Sequence, residues 1–454
     1  MTHRDSIDWG KTDINKLYFK ILLPTLLGMV SGILVTIADG FFVGRYVGSD
    51  ALAAVNISAP LFLFSTAFAL MFGVGCSVVA SVHLSKGKVK AANINVTQAI
   101  IVSAGLFSII SAYIYFNSES VALMLGATER LLPMVETYVR ILSLSLVLYM
   151  MEHIGLFIIR LDGSPNVAML CITLPSILNV IGDYLLVVVC DMGIEGAVIA
   201  TAGSIAIAGF SVLIYLLFFS KTIKLYRLKL SIKSLLLTCR NIGYMVRLGS
   251  AAFLGEMAIA VMMFVGNYIF LKHYGEDGIA AYSIICYYFP IIFMVNNAIS
   301  QSAQPIISYN YGAGLMDRVR KSFRLTILYG VGFATVITAA VIFFAPQMVG
   351  LFLNSSYPAY DIASYGMPLF ATGYIFFALN MMFMGYYQSI EDYKTANVIS
   401  VLRGYVLLIA LFLVMPAVFG KVGIWLAVPT AEVITFIAII LLYNRQKRLS
   451  TNSF

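Results

Sequence analysis

The sequence predicts an all-α polytopic membrane protein with twelve transmembrane helices in two pseudo-symmetric lobes of six. Three observations support this prediction. Of the 454 residues, 61% are hydrophobic and 11% are charged, whereas a soluble domain is about 25% charged. The chain contains twelve apolar stretches that are long enough to cross a bilayer. The two halves of the chain also match each other at one fixed offset.

The apolar stretches define the expected spans, because a transmembrane helix needs about 20 mostly apolar residues. The first stretch is too long for a cleavable signal peptide and has no small-residue cleavage site, so we expect it to be the first span. The twelve predicted spans are residues 18–42, 51–81, 95–116, 135–159, 167–189, 195–219, 246–271, 279–309, 323–345, 364–388, 395–416 and 424–443.

A shift of half the chain, 454/2 = 227 residues, aligns the two halves without a gap, which indicates a duplicated unit. Each half holds an even number of spans, so both copies enter the membrane from the same side as parallel repeats. We therefore expect lobes at 1–219 and 246–454, joined by a cytoplasmic linker at 220–245. The matched pairs include Gly28 with Gly255, Gly48 with Gly275, Asp50 with Asp277, Gly87 with Gly314, and Gly196 with Gly423.

The distribution of basic residues predicts the orientation. With the N-terminus inside, most of the 29 Lys and Arg residues fall in or beside inner segments, as the positive-inside rule requires. This predicts a multi-pass protein of the plasma or inner membrane with both termini in the cytoplasm. The net charge of +8 then faces anionic lipid, and nucleic-acid binding is not expected.

Several other classes of site lack support in the sequence. The five cysteines and four histidines are scattered, without a CxxC pair or a histidine cluster, so neither a disulfide framework nor a zinc site is expected. Residues Asp5–Thr12 resemble the end of a Walker A loop, but the first glycine of that motif is absent and no strand precedes it. We expect no cofactor, and an ion gradient rather than ATP as the energy source.

Four polar residues in the first half are candidates for an ion site. Asp39 lies about twenty residues along the outward-running first span, a rise of ~30 Å, and Asp183 lies at a similar outer depth in the fifth. Asn179 shares a helix face with Asp183. Thr201 lies about a turn and a half below the outer end of the sixth span, which runs inward. Their oxygens suit a proton or a small hard cation such as Na⁺. The alternative is that the two acids are helix-end residues that touch water.

Other ionisable residues within spans are less specific. Glu152 and His153 could relay protons, but adjacent helix positions point about 100° apart, so they could equally be satisfied structurally. Glu256 lies near the midplane of the seventh span, where a carboxylate facing a cavity would attract an organic cation. The alternative is an ion pair with Arg403, which reaches a similar depth. Glu432 has no predicted role.

Aromatic and methionine residues of the second half could line a pliable cavity for flat lipophilic ligands. The candidates Tyr287 and Tyr288 lie on the eighth span, and Met262 and Met381 lie on the seventh and tenth. With Glu256 and Arg403 they form the predicted substrate cavity. Most such side chains in a membrane bundle face lipid or neighbouring helices, which is the alternative for each of them.

Several motifs, among them Ala38–Gly48, Arg160–Pro165 and Asn179–Tyr184, together resemble the MATE (multidrug and toxic compound extrusion) family over almost the whole chain. The resemblance implies two six-helix lobes around a central cleft and export driven by inward proton or sodium flow. In the DinF-like branch the coupling acids lie in the first and fifth spans, beside an amide and a hydroxyl. The motifs are Ala38–Gly48, Ala51–Val55 with Pro60, Arg160–Pro165, Asn179–Tyr184, Gly196–Thr201, His273–Gly275, Ala280–Tyr282, and Gln304–Pro305 with Asn310.

Carried over residue by residue, the resemblance assigns ion coupling to Asp39, Asn179, Asp183 and Thr201, and helix bending to Pro24. One departure concerns Glu256, which lies about a turn away from the glutamate of the family's second-half cation site. The expected function is a secondary active multidrug exporter of lipophilic or cationic drugs, without enzyme activity, for which a monomer suffices. Two rival functions remain: a lipid-linked oligosaccharide flippase, which would need several basic residues in its cavity, and a membrane-embedded enzyme, which would need a compact catalytic cluster. A channel is not expected, because the sequence has no filter-like or re-entrant motif.

Overall fold

The structure, a computed structural model, describes residues 7–229 and 231–451, with side chains up to residue 444. Every regular element in that part of the chain is a helix. It contains nine helices that are long and apolar enough to cross a membrane, or eleven if each of two bent pairs forms one span. Residues 1–6 and 452–454, which include the two termini predicted to be cytoplasmic, lie outside the described residues.

The helices follow the predicted spans in order, and two spans are broken. The fourth predicted span is formed by two helices bent by 53°, and the tenth by two helices bent by 44°. The helices are α1 Ile14–Val47, α2 Ser49–Ser85, α3 Val89–Phe116, α4 Ser118–Met124, α5 Leu132–Ser143, α6 Leu146–Leu161, α7 Pro165–Val189, α8 Gly193–Phe219, α9 Ile232–Tyr274, α10 Glu276–Gly312, α11 Met316–Gly350, α12 Pro358–Ala371, α13 Tyr374–Ser389 and α14 Tyr393–Asn444.

Helix α14 explains why fewer helices are counted than the twelve predicted spans. It extends over 52 residues and contains both of the last two predicted spans. Its backbone leaves helical geometry at Gly420, where φ is 58° and ψ is −140°. Glycine adopts a positive φ without the steric cost that a Cβ would cause. The run therefore consists of two helices that meet at Gly420, and the predicted gap at 417–423 lies at this break.

The chain forms two compact units, each of which has its own core. One unit comprises residues up to Gly249 together with Ser308–Leu315, and the other comprises Ser250–Ile307 and the chain from Met316 onward. The first part of α9 belongs to the first unit because it packs directly on α2. A Cβ at Gly249 would strike the backbone of Met71, and one at Gly75 would strike that of Met245. Small residues allow this close approach of two helices. The predicted boundary at 245/246 thus falls inside α9.

Helix α1 lies along α7 in the first unit, and this contact positions the first-half acids. Asp13 caps the start of α1 by accepting hydrogen bonds from the backbone of the first turn. Further along, Gly28 faces Ile172, and the hydroxyl groups of Ser31 and Thr173 lie 3.1 Å apart. Pro24 lies inside α1, where it lacks the N–H that would bond the preceding turn.

Candidate functional site

The two aspartates of the first half meet where α1 packs on α7. Asp183 is fully buried at the end of the α-helical part of α7, and Asn179 is buried one turn earlier. Asp39 is half-buried on α1. With its amide oriented so that each end faces a complementary partner, Asn179 donates to Asp39 Oδ1 at 2.8 Å and accepts from the backbone N–H of Thr201 at 3.3 Å. Residues from three helices, α1, α7 and α8, therefore join in one group.

The carboxylate of Asp183 faces that of Asp39 rather than a hydrogen-bond donor. Neither Asp183 oxygen receives a hydrogen bond within the described part of the chain, and the Asp39 side chain lies within hydrogen-bonding reach. Two carboxylates can form a hydrogen bond only if one of them carries a proton. Two adjacent buried negative charges are costly in an apolar environment. A proton or a cation at this pair would relieve the repulsion between the two carboxylates.

Hydroxyl groups complete the surroundings of this pair. The Thr201 hydroxyl donates to the carbonyl of Ala197 at 3.0 Å, so its oxygen remains available as an acceptor. Tyr138, a buried residue of α5, lies near Thr201 and both aspartates. The sequence did not single out Tyr138. Its position near the outer end of the fourth predicted span, at the depth of the two aspartates, was the signal that could have identified it.

The backbone next to both aspartates departs from the regular α-helix. Helix α1 ends in the π-helical turn Val43–Val47, and α7 continues from Asp183 into the π-helical segment Tyr184–Val189. Such turns shift the register of the helical hydrogen bonds and are frequent at functional sites. Carboxylate, amide and hydroxyl oxygens make up the donor set, which suits a proton or a hard cation. No group of three His, Cys, Asp or Glu side chains that could hold a metal occurs in the described residues.

The second unit contains a different charged cluster, which is already paired. Arg403 donates from Nη2 to Glu432 Oε1 at 2.9 Å and from Nε to both carboxylate oxygens at 3.2 and 3.3 Å. The Asn380 side chain donates to Glu432 Oε2 at 2.6 Å. The guanidinium also lies over the ring of Phe377, 4.5 Å from its centroid, and donates to the sulfur of Met381 at 3.2 Å.

This geometry corrects one sequence-based alternative. Arg403 forms its ion pair with Glu432, not with Glu256. Glu256 is 8% exposed and has no hydrogen bond or ion pair with any described residue. Glu152 is equally buried and likewise has no such partner in the described chain. The adjacent His153 contacts the carbonyl of Tyr149 through Nδ1 at 3.2 Å, so it is held within its own helix.

Two of the six residues predicted to form the substrate cavity line the same small cavity. Met262 and Arg403 line a cavity of about 20 Å³ together with three phenylalanines and Glu432. This volume holds about one water molecule. Tyr287 is 63% exposed and stacks on Phe352, and Tyr288 donates to the carbonyl of Met348. Both tyrosines are absent from the cavity lining.

Comparison with known protein families decides which family the chain belongs to. The MatE family model matches residues 24–185 and 252–414, once in each half. The chain belongs to the MATE family. The two matched segments begin about half a chain apart, which supports the predicted duplication. Family membership makes the chain a membrane transporter rather than an enzyme. Asp39, Asn179 and Asp183 lie within the first matched segment, whereas Thr201 lies beyond it.

Relatives and solved structures agree with this MATE assignment. The chain is 25% identical over 448 residues to "Multidrug export protein MepA" of Staphylococcus aureus, covering 98% of this chain and 96% of that protein. A structure described as the outward-facing conformation of a multidrug resistance MATE family transporter of the MOP superfamily aligns over 100% of both chains, with a TM-score of 0.89 and 20% identity. A MOP superfamily transporter from Pyrococcus furiosus, whose binding pocket is described as having reverse polarity, gives a TM-score of 0.89 at 19% identity over 98% of both chains. These structural likenesses show the two-lobe, all-helical fold.

Proposed function

We propose that this MATE-family chain is a secondary active multidrug exporter that moves organic, often cationic, compounds out of the cell by antiport with H⁺ or Na⁺. The observation that carries the proposal is the buried Asp183 carboxylate, which faces Asp39 without a hydrogen-bond donor. The name of the Staphylococcus relatives, multidrug export protein, supports the class of substrate. The location that follows is the cell membrane, with both termini in the cytoplasm and a monomer as the working unit.

The proposed coupling runs through the charge of the aspartate pair. A proton or cation enters the first lobe from outside and neutralises Asp39 and Asp183. The lobes then exchange access to the two sides of the membrane, and the ion leaves to the inside. If the ion weakens drug binding, linkage requires that the drug weakens ion binding by the same factor. This reciprocity makes uptake of the ion release the drug.

Helix α1 is the element proposed to transmit this change. It carries Asp39 near one end and Pro24 in its interior, where the proline has no N–H to donate to the preceding turn. Helices bend most readily at such a position. A change of charge at Asp39 alters its hydrogen bond to Asn179, and bending at Pro24 would let the rest of α1 respond.

Glu256 is proposed to contribute to drug binding. Glu256 is a buried carboxylate without a described partner, and such a group would attract an organic cation. Arg403 is bound to Glu432, so its charge is not available for a phosphate group. This favours drug export over the flipping of a lipid-linked oligosaccharide, whose phosphates would need several free cations.

Transport by purified protein in proteoliposomes tests the proposal directly. A fluorescent cationic dye is loaded, and a pH gradient or a sodium gradient is imposed separately. Dye movement driven by one of the two gradients supports antiport and identifies the ion. Dye movement that is indifferent to both gradients, at verified reconstitution, would contradict ion coupling.

A further inference from the structure

The segment that joins the two halves of the chain is fixed to the first unit rather than free. The carboxylate of Asp162, in the turn between α6 and α7, accepts the backbone N–H groups of Lys221, Thr222 and Ile223 at 2.7–2.9 Å. It also accepts the hydroxyl of Tyr215 at 2.8 Å. Asp162 is 5% exposed, so these four hydrogen bonds are shielded from water. The start of the linker therefore has one defined course.

Helix α3 continues this attachment along the linker. The backbone N–H of Lys224 donates to Asn93 at 3.1 Å, and that of Tyr226 donates to Thr97 at 2.8 Å. At the next position of α3, the side chain of Gln98 bonds both Thr238 and Asn241 of α9. Lys224, Tyr226 and the first turns of α9 are thus held against α3 by hydrogen bonds to its side chains.

The outward side of this segment is basic. Residues 221–249 contain seven Lys or Arg residues and no Asp or Glu. In α9 the residues that face the protein are Thr238, Asn241 and Met245, which leaves the opposite face of the helix exposed. Lys233, Arg240 and Arg247 are exposed and follow each other at intervals of seven residues, or about 10.5 Å along the axis. They form one row.

An apolar strip runs beside this row on the same helix. Ile232, Leu235 and Leu236 are 81%, 65% and 66% exposed, and Cys239 continues the strip one turn further. Their positions on the helix lie next to those of the basic row. A helix that presents adjoining apolar and basic stripes fits the boundary between acyl chains and anionic headgroups. It does not fit free solution, where the leucines would face water.

We propose that residues 221–229 and the first turns of α9 form a binding site for anionic phospholipid, with the phosphate on the basic row and the acyl chains on the apolar strip. The ligand is a lipid rather than a soluble phosphate, because only a lipid has acyl chains that would cover the apolar strip beside the basic row. The hydrogen bonds to Asp162 and α3 fix the backbone that carries these basic residues in the absence of lipid. The proposal goes beyond export, since the binding requires no transport.

The test measures binding of a fluorescent phosphatidylglycerol, in phosphatidylcholine–detergent mixed micelles, to the purified full-length chain. The double variant Lys233→Gln, Arg240→Gln should bind about 25-fold more weakly, because each basic residue near an anionic surface contributes a factor of about 5. The matched control, Arg320→Gln with Arg324→Gln, removes the same charge from exposed positions on α11 and should change binding less than about twofold.

A third variant separates a built site from simple charge attraction. Asp162→Asn raises the net positive charge, so charge attraction alone predicts tighter lipid binding. The proposed site predicts weaker binding, because the amide cannot accept all four hydrogen bonds that fix the linker. Equal losses in both double variants, or tighter binding by Asp162→Asn, would overturn the proposal. So would displacement of the lipid by excess soluble glycerol phosphate.

Discussion

Replacement of Asp183 by asparagine is expected to abolish ion-driven export while it stabilises the protein. Two like unit charges about 4 Å apart repel by about 4 kcal/mol at an effective dielectric constant of about 20. Because Asp39 is only half-buried, water screens part of this repulsion, and the figure is an upper value. The amide introduced at this position would donate a hydrogen bond to Asp39 and would copy the neutral, ion-loaded state permanently.

The assay combines dye efflux from cells at equal expression with thermal unfolding of purified protein. Asp183→Asn and Asp39→Asn should each reduce efflux at least about tenfold, because each removes one of the two exchangeable charges. Asp183→Asn should also raise Tm, because it removes the repulsion between the two carboxylates. Asp50→Asn is the matched control, because the Asp50 side chain is 41% exposed and pairs with Arg130 at 3.1 Å. An exposed pair contributes about 0–1 kcal/mol, so this variant should export normally. Undiminished export by both site variants would refute the assignment of the ion site.

Three further predictions concern packing and pairing. Glu432→Gln leaves the buried Arg403 without its counter-charge and should destabilise the protein by about 3–5 kcal/mol, whereas Arg403→Met combined with Glu432→Gln should restore most of the loss, as measured by Tm. Asp162→Ala removes four hydrogen bonds at about 1.5–3 kcal/mol each and should expose residues 221–229 to limited proteolysis, while Asp50→Ala should not. Gly249→Val places a side chain against the backbone of Met71 and should cost about 1–3 kcal/mol or more, lowering Tm and the yield of folded protein; an unchanged Tm would contradict the close helix contact.

The spans could be predicted from the sequence because a membrane helix needs a long apolar stretch, and the structure places a helix over each predicted span. Asp39 and Asp183 could be paired in advance because the rise along a helix fixes the depth of each residue. Depth alone does not say which helices are neighbours or how they are rotated. For that reason the partner of Arg403 was not predicted, and Tyr138 was missed. Likewise, depth alone does not predict that Tyr287 stacks on Phe352 or that Tyr288 donates to Met348.

The two halves of the chain keep a common scaffold but differ in their charged residues. The pairs that match at the half-chain offset include many glycines and alanines, which set the spacing of packed helices. At the same offset, Asp39 corresponds to Gly266, and Asp183 corresponds to Ala410. The second half thus contains no copy of the aspartate pair.

The second half instead supplies its own cation, because the guanidinium of Arg403 already neutralises Glu432. A carboxylate with an internal partner has little need of an ion from solution, whereas the Asp39–Asp183 pair has no internal cation among the residues described around it. Ion coupling should therefore reside in the first lobe alone. The double variant Asp39→Asn, Asp183→Asn should leave no component of dye transport that responds to an imposed pH or sodium gradient. A residual response of about half the wild-type size would mean that a second site, with Glu256 as the first candidate, also couples an ion to export.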